Sequence, residues 1–187
     1  FTCVAFIILF IEDTLLYHLL VIKKENNFWK TLKLQHSIYK IVLIALFTSS
    51  ISHAELIKPN NGIEPYQVIK IQLIGLQKND HIYKDSGIEQ TWNFAHPDNK
   101  KVTGPLNNFK RMIKSESYQM MINHLSHTIT KVTSTDKSAQ FEVVILDKNK
   151  IYHKFNWQVE KYNLDGILKN CWLTTMVSNP ISLGSSI

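Results

Sequence analysis

Three histidines are the side chains with most chemistry to offer: His124 and His127, spaced three apart, and His153 in a run of alternating residues. On a helix an HxxH spacing puts both imidazoles on one face, where they could share a metal. On a strand an odd spacing sends them to opposite faces. The residues around them read as strand, which argues against a joint site. No acidic or thiol residue stands close in sequence to complete a ligand set, so no metal and no cofactor is expected. His153 falls on the apolar side of its run, with Ile151, Phe155 and Trp157. Burying an imidazole costs free energy unless it is hydrogen-bonded. Two readings stay open: a core histidine bonded to a neighbour such as Tyr or Asn, or a polar group set in a pocket to orient a ligand. His124 shares that ambiguity. Trp157 and Trp172 are expected on adjacent strands, either lining a cavity or filling it. The candidate ligand-binding set is therefore His124, His153, Trp157 and Trp172.

Catalytic groups are harder to find. An isomerase or hydrolase would want a carboxyl with a displaced pKa inside a pocket. Glu142 and Glu160 alternate away from the apolar face, while Asp80, Asp85, Glu89 and Asp98 belong to helical turns, and nothing selects one of them. There is no glycine-rich phosphate loop, no G-x-S-x-G elbow and no cysteine-pair metal motif. Cys171 lies between apolar neighbours and reads as an inert buried thiol. No catalytic residue is assigned.

These side chains are positioned by elements that the hydrophobic periodicity predicts after about residue 64. Pro65 suits the first position of a helix, and Tyr66, Ile69, Leu73 and Leu76 repeat at helical spacing, with Val68 and Ile71 beside them. Asn79-Asp80 ends it. A short helical piece is expected over 87–99, stopped by Pro97. Another starts after Gly104-Pro105, with Leu106, Phe109 and Ile113 inward, and ends near Ser115. Beyond Tyr118 the period changes to two. Four strands are expected, over about 121–132, 139–146, 151–161 and 168–177, separated by turns rich in Asp, Asn and Gly. The third is the clearest: Ile151, His153, Phe155, Trp157 and Val159 share one face, and Tyr152, Lys154, Asn156, Gln158 and Glu160 the other. The expected fold is α+β, with N-terminal helices packed on a curved four-stranded antiparallel sheet.

Upstream the composition differs. All six glycines and all five prolines lie at Pro59 or later. Residues 34–54 read as a signal peptide: Lys40 in the n-region, Ile41–Phe47 as the apolar stretch, and Ser52-His53-Ala54 before a cleavage between Ala54 and Glu55. A retained anchor is the alternative. Export to a bacterial periplasm or the medium follows, with membrane contact only through the leader. Residues 1–33 carry Glu12 and Asp13 inside an apolar run, where charge is costly to a membrane span. The first Met is Met112. They are read as an upstream segment, not translated if initiation uses an alternative codon near Leu34. A genuine membrane or amphipathic segment is the alternative. The domain is expected over 55–187.

The net charge of +6 is spread along the chain. Lys110, Arg111 and Lys114 form a local cluster that reads as a solvated helix face. Nucleic acid is not an expected partner. Cys3 and Cys171 fall on opposite sides of the cleavage point, which excludes a disulfide scaffold and leaves stability to the core.

The stretch 87–113, GIEQTWNFAHPDNKKVTGPLNNFKRMI, resembles the uncharacterised bacterial and plant family called domain of unknown function 4864. The features that carry it are Gly87-Ile88-Glu89, Phe94-Ala95, Pro97, Asn99, Thr103-Gly104-Pro105-Leu106 and Phe109, with Tyr118, His124 and Cys171-Trp172 downstream. It covers roughly residues 65–178. The resemblance implies a cystatin-like, nuclear-transport-factor-2-like cone with a pocket between sheet and helices, and it implies no activity. The leading expectation is an exported module binding a small apolar ligand or a protein. The alternatives are a small isomerase- or hydrolase-type enzyme using a pocket His, and a homodimer formed through the open sheet face at Tyr152, Lys154, Asn156 and Gln158.

Overall fold

A computed structural model describes residues 32–40 and 55–185. The chain divides into two units, Phe1–His53 and Ala54–Ile187. In the first, residues 32–40 are helical. The apolar stretch Ile41–Phe47 and the Ser52-His53-Ala54 cleavage motif lie outside the described residues. Among the described residues no helix is long and apolar enough to cross a membrane.

The second unit is α+β, helices first and sheet second. Helix α1, Pro65–Gln77, starts with proline at its first position, and the Glu64 N–H donates to the Gln67 side chain at 2.9 Å. Val68, Ile69, Gln72, Leu73 and Leu76 form its buried face, whereas Tyr66 is exposed. The turn to α2, Ser86–Asn93, is held by Asn79. Its Oδ1 accepts from Ile88 N–H at 3.1 Å, and its carbonyl accepts from Gly87 N–H at 2.8 Å. Helix α2 crosses α1 backbone to backbone. A Cβ on Gly87 would lie 1.9 Å from the Gly75 carbonyl oxygen, so only glycine permits the approach.

Pro97 does not stop a helix. It opens one, α3, Pro97–Thr103, with the His96 ring accepting from Asp98 N–H. The missing N–H of proline costs nothing at a helix start. The expected single piece over 87–99 is therefore two helices. Helix α4, Leu106–Ile113, buries Phe109 and Ile113.

The sheet has five antiparallel strands rather than four: β1 Ser126–Ser134, β2 Ser138–Leu146, β3 Ile151–Lys161, β4 Trp172–Val177 and β5 Ile181–Ser185. Their order is β1-β2-β3-β4, with β5 also on β3. Strand β4 takes the Trp157–Lys161 half of β3 and β5 the Ile151–Lys154 half. Strand β5, Ile-Ser-Leu-Gly-Ser, is a short alternating run, but all five of its residues are exposed, so it has no buried face. Strand β1 starts five residues later than expected, because Gln119–Met121 form a 3-10 turn. Strand β4 starts four residues later, because Leu168 to Asn170 still belong to the turn.

The alternation read in β3 holds at its centre: Phe155, Trp157 and Val159 are buried with Phe141, Val143 and Ile145 of β2. These inner residues and the buried faces of α1, α2 and α4 make one core. Replacing Gly87 by Ala should lower unfolding free energy by about 2 kcal/mol or more through overpacking, despite the ~1 kcal/mol alanine gains in a helix interior. A urea melt unchanged by the substitution would refute the tight α1–α2 crossing.

Candidate functional site

A cavity of about 250 Å³ opens between α3, α4, the 3-10 turn and the exit of β4. Its apolar wall includes Leu76, Phe109, Met112, Ile113, Met121 and Trp157, and its polar groups are Gln72, Thr91, Asn99, Thr103, Thr174 and Thr175, with Tyr118. Among the described residues no Asp, Glu, Lys, Arg or His lines it.

The cavity exists because of how β4 is tied down. The Thr174 side chain accepts from Trp157 Nε1–H at 3.2 Å and donates to Gln72 Oε1 at 2.7 Å. Gln72 Nε2–H then donates to the Thr91 carbonyl at 3.0 Å, and Thr91 Oγ1–H to the Gly87 carbonyl at 3.0 Å. The backbone of Thr174 is equally committed. Its N–H donates to Phe94 O at 2.8 Å, and its carbonyl accepts from His96 N–H and Asn99 Nδ2–H, both at 2.9 Å. The side-chain bonds among Trp157, Thr174, Gln72 and Thr91 are buried, where an unmade one costs the most. Among the described residues no buried side-chain polar atom lacks a partner.

The four candidate residues do not share a site. Trp157 lines the cavity. Trp172 is on the adjacent strand as expected, but it pairs with Lys161 in the register, and the Lys161 ammonium lies 5.1 Å over its indole ring. It borders a different, more polar cavity with Tyr66, Phe141 and Lys131. A protein cation already covers that ring.

His153 is not among the residues lining the first cavity. It bonds Asp147 at 3.1 Å, an acid rather than the Tyr or Asn expected. Asp147 Oδ1 accepts from Asn149 N–H at 2.9 Å and Ile151 N–H at 2.8 Å, so the carboxylate holds the β2–β3 turn as well as the imidazole. Burial alone would raise the Asp147 carboxyl, but the hydrogen bonds from Ile151, His153 and Asn149 outweigh it and hold it below the usual range.

His124 and His127 meet, against the expectation that a strand would separate them. His124 precedes β1, after Asn123 in a left-handed conformation (φ 56°), so the odd-spacing rule does not reach it. Its Nε2 lies 2.8 Å from His127 Nδ1, and its Nδ1 lies 2.7 Å from the Met121 carbonyl. Burial pushes both imidazoles below their ordinary value, helped for His127 by Lys70. Among the described residues no group of three or more His, Cys, Asp or Glu could hold a metal. Cys171 is buried, and burial pushes its thiol up, the opposite of what activates a nucleophile.

Sequence reasoning missed Gln72, Thr91, Asn99 and Thr174. Gln72 was legible: it interrupts an apolar helix stripe between Ile69 and Leu73. Thr174 in the run CWLTTMV gave the same hint. No family model, curated protein or solved structure matches this chain.

Thr174→Val removes the hydroxyl but keeps the shape, stranding Trp157 Nε1–H and Gln72 Oε1. It should cost about 2–4 kcal/mol, while Thr174→Ser should stay within about 1 kcal/mol. Guanidinium unfolding of the two variants decides, and equal midpoints would remove the hydroxyl from its central place.

Proposed function

We propose that the domain is a binding module whose cavity takes a small, uncharged, largely apolar ligand with one hydrogen-bonding end. The observation that carries this is the cavity's lining. Its walls are mostly carbon, its polar groups are neutral, and among the described residues no carboxyl, imidazole or amine lines it. A charged ligand buried there would lose its hydration with no counter-charge to replace it. The volume, about 250 Å³, falls just below the ~300 Å³ at which drug-sized pockets begin, which suits one or two fused rings or a short branched chain. Asn99, Thr103 and Thr175 stand among the lining groups able to hold the polar end.

The finer fold belongs to the same proposal. The order of helices before sheet, and a cavity between them, support the cystatin-like, nuclear-transport-factor-2-like cone and the likeness to domain of unknown function 4864. Export through the leader at 34–54 completes it, placing the module where small apolar molecules are met outside the cytoplasm.

One observation favours a second reading, an acid–base enzyme. Asp147 stands behind His153 as a carboxylate orients a general base. That pair does not border the cavity, so the two readings separate cleanly.

Native mass spectrometry of the purified chain should show a reproducible small adduct. Calorimetric titration with 2-naphthol, a neutral bicyclic probe, should show one site. Ala95→Leu, which places a larger side chain on the cavity wall, should weaken binding about tenfold or more, and Trp157→Phe should weaken it less. His153→Ala should leave affinity unchanged. Loss of binding in His153→Ala with retention in Ala95→Leu would move the site to the Asp147–His153 end and overturn the assignment.

A further inference from the structure

The His124–His127 pair has no part in the cavity's lining, yet it is bonded to it. Its anchor is the carbonyl of Met121, and the Met121 side chain is part of the cavity wall. A carbonyl can only accept, so His124 Nδ1 carries a proton. With both rings neutral, His124 Nε2 is then a lone pair. His127 Nδ1–H donates to it, leaving His127 Nε2 as the free base. The tautomers of both rings follow from one carbonyl.

The same accounting fixes how the pair responds to acid. A first added proton can sit on His127 Nε2. The bond between the rings survives and becomes charge-assisted. A second has no place except the nitrogens that face each other. Two N–H groups cannot point at one another across 2.8 Å, and two cations whose ring centres are 5.0 Å apart repel. The rings must part. His124, which is 2% exposed, cannot stay charged where it is, and on leaving it gives up Met121.

The charged surroundings do nothing to soften this. Lys70 on α1 opposes positive charge on His127. Ile145 separates His127 from His153 along the cross-strand row, and the nearby carboxylate, Asp147, is already held by His153. The 3-10 turn is tied on its N-terminal side by its own backbone, Gln119 N–H to Ser115 O at 2.8 Å and Met121 N–H to Tyr118 O at 3.0 Å, while the Met121 carbonyl faces His124. Asn123 N–H donates to Leu76 O at 2.9 Å and Gln77 Nε2–H to Leu125 O at 2.8 Å, both beyond Met121.

We propose that this pair is an acid-operated latch on the cavity wall: it holds Met121 in place while it carries one added proton or none, and releases the wall, and with it the ligand, when both rings are charged. The proposal rests on the cavity being the ligand site. Folding stability should follow the same sign. Both imidazoles are depressed in the folded chain, so the stability they contribute is full above the unfolded value of about 6.5 and is lost as pH falls below it.

The test is 2-naphthol affinity on the full chain between about pH 7.5 and pH 5, a range in which the probe stays neutral and histidine titrates. The wild type should lose about tenfold, a typical coupling between two sites. His127→Gln keeps an N–H donor for His124 but removes the second titration, so its affinity should stay flat. The same loss in both proteins, or none in the wild type, overturns the latch. Imidazole nitrogen NMR, followed with the Met121 methyl signal, reads the latch without any ligand. The two should shift together at the second protonation. If 2-naphthol fails to bind at either pH while the signals do move together, the cavity reading fails and the latch on Met121 stands. If the imidazoles titrate with the methyl signal still, the latch fails whatever the probe does.

Discussion

One hydroxyl, that of Thr174, joins parts of the chain 102 residues apart. It accepts from the β3 tryptophan and donates to the glutamine on α1, while its own backbone pairs with the α2–α3 connection on both sides. Apolar packing alone does not specify such a join, because a core of about the right volume and pattern keeps its stability after it has lost a unique arrangement. A buried polar chain removes that freedom. Any shift that separated Thr174 from Gln72 would leave buried groups unmatched, each costing about 1–3 kcal/mol. The position of β4 against α1 is thus fixed to within a hydrogen bond. The gap below its exit is a consequence of that fixed position rather than a packing fault.

The same constraint explains which features the sequence disclosed. Strand β3 was legible because burial on one face and water on the other write themselves as alternation, down to Phe155 and Trp157 inside and Asn156 and Gln158 outside. Helix α1 was legible from Pro65 and its apolar repeat. What was not legible depends on contacts far away in sequence. Strand β5 pairs with the half of the β3 edge that β4 leaves and has no buried face of its own, so the short alternation of Ile181 and Leu183 is too brief to mark it as a strand. Pro97 reads identically as a stop or a start. Gly87 looks like an ordinary turn glycine until α1 is laid across it. His124 escaped for a different reason: the parity rule was sound, but it was applied one turn before the strand begins. Of the candidate site, Trp157 was found from the sequence. Its partners were not, although a glutamine inside a helical apolar stripe is a signal that can be used.

Polar chemistry and cavity are kept apart in this fold. Asp147 with His153, and His124 with His127, occupy the end of the sheet where the β2–β3 turn and the start of β1 come together, along a row that runs His127, Ile145, His153 across three strands. Both of these pairs are short-range contacts made at turns, three and six residues apart in sequence. The cavity, lined by neutral groups, lies toward the β4 end of β3. Such a separation is economical in physical terms, because a charge beside an apolar cavity would draw ordered water into it and oppose an apolar occupant.

The hole itself needs a reason to persist. At about 24 cal/mol per Å³ of empty, unrelaxed cavity, about 250 Å³ left dry would cost ~6 kcal/mol. That is comparable with the whole stability of a small domain, 5–15 kcal/mol. The lining includes polar groups, Asn99, Thr103 and Thr175 among them, so water can enter and relieve most of that cost. Water held against Leu76, Phe109 and Ile113 finds few partners, however, and poorly bonded water is the kind that an apolar group displaces with a gain in affinity. A cavity wet enough to be tolerated and apolar enough to prefer something other than water is what the proposed ligand role requires. The Thr174 junction, by refusing to let β4 collapse onto α4, keeps it open until it is.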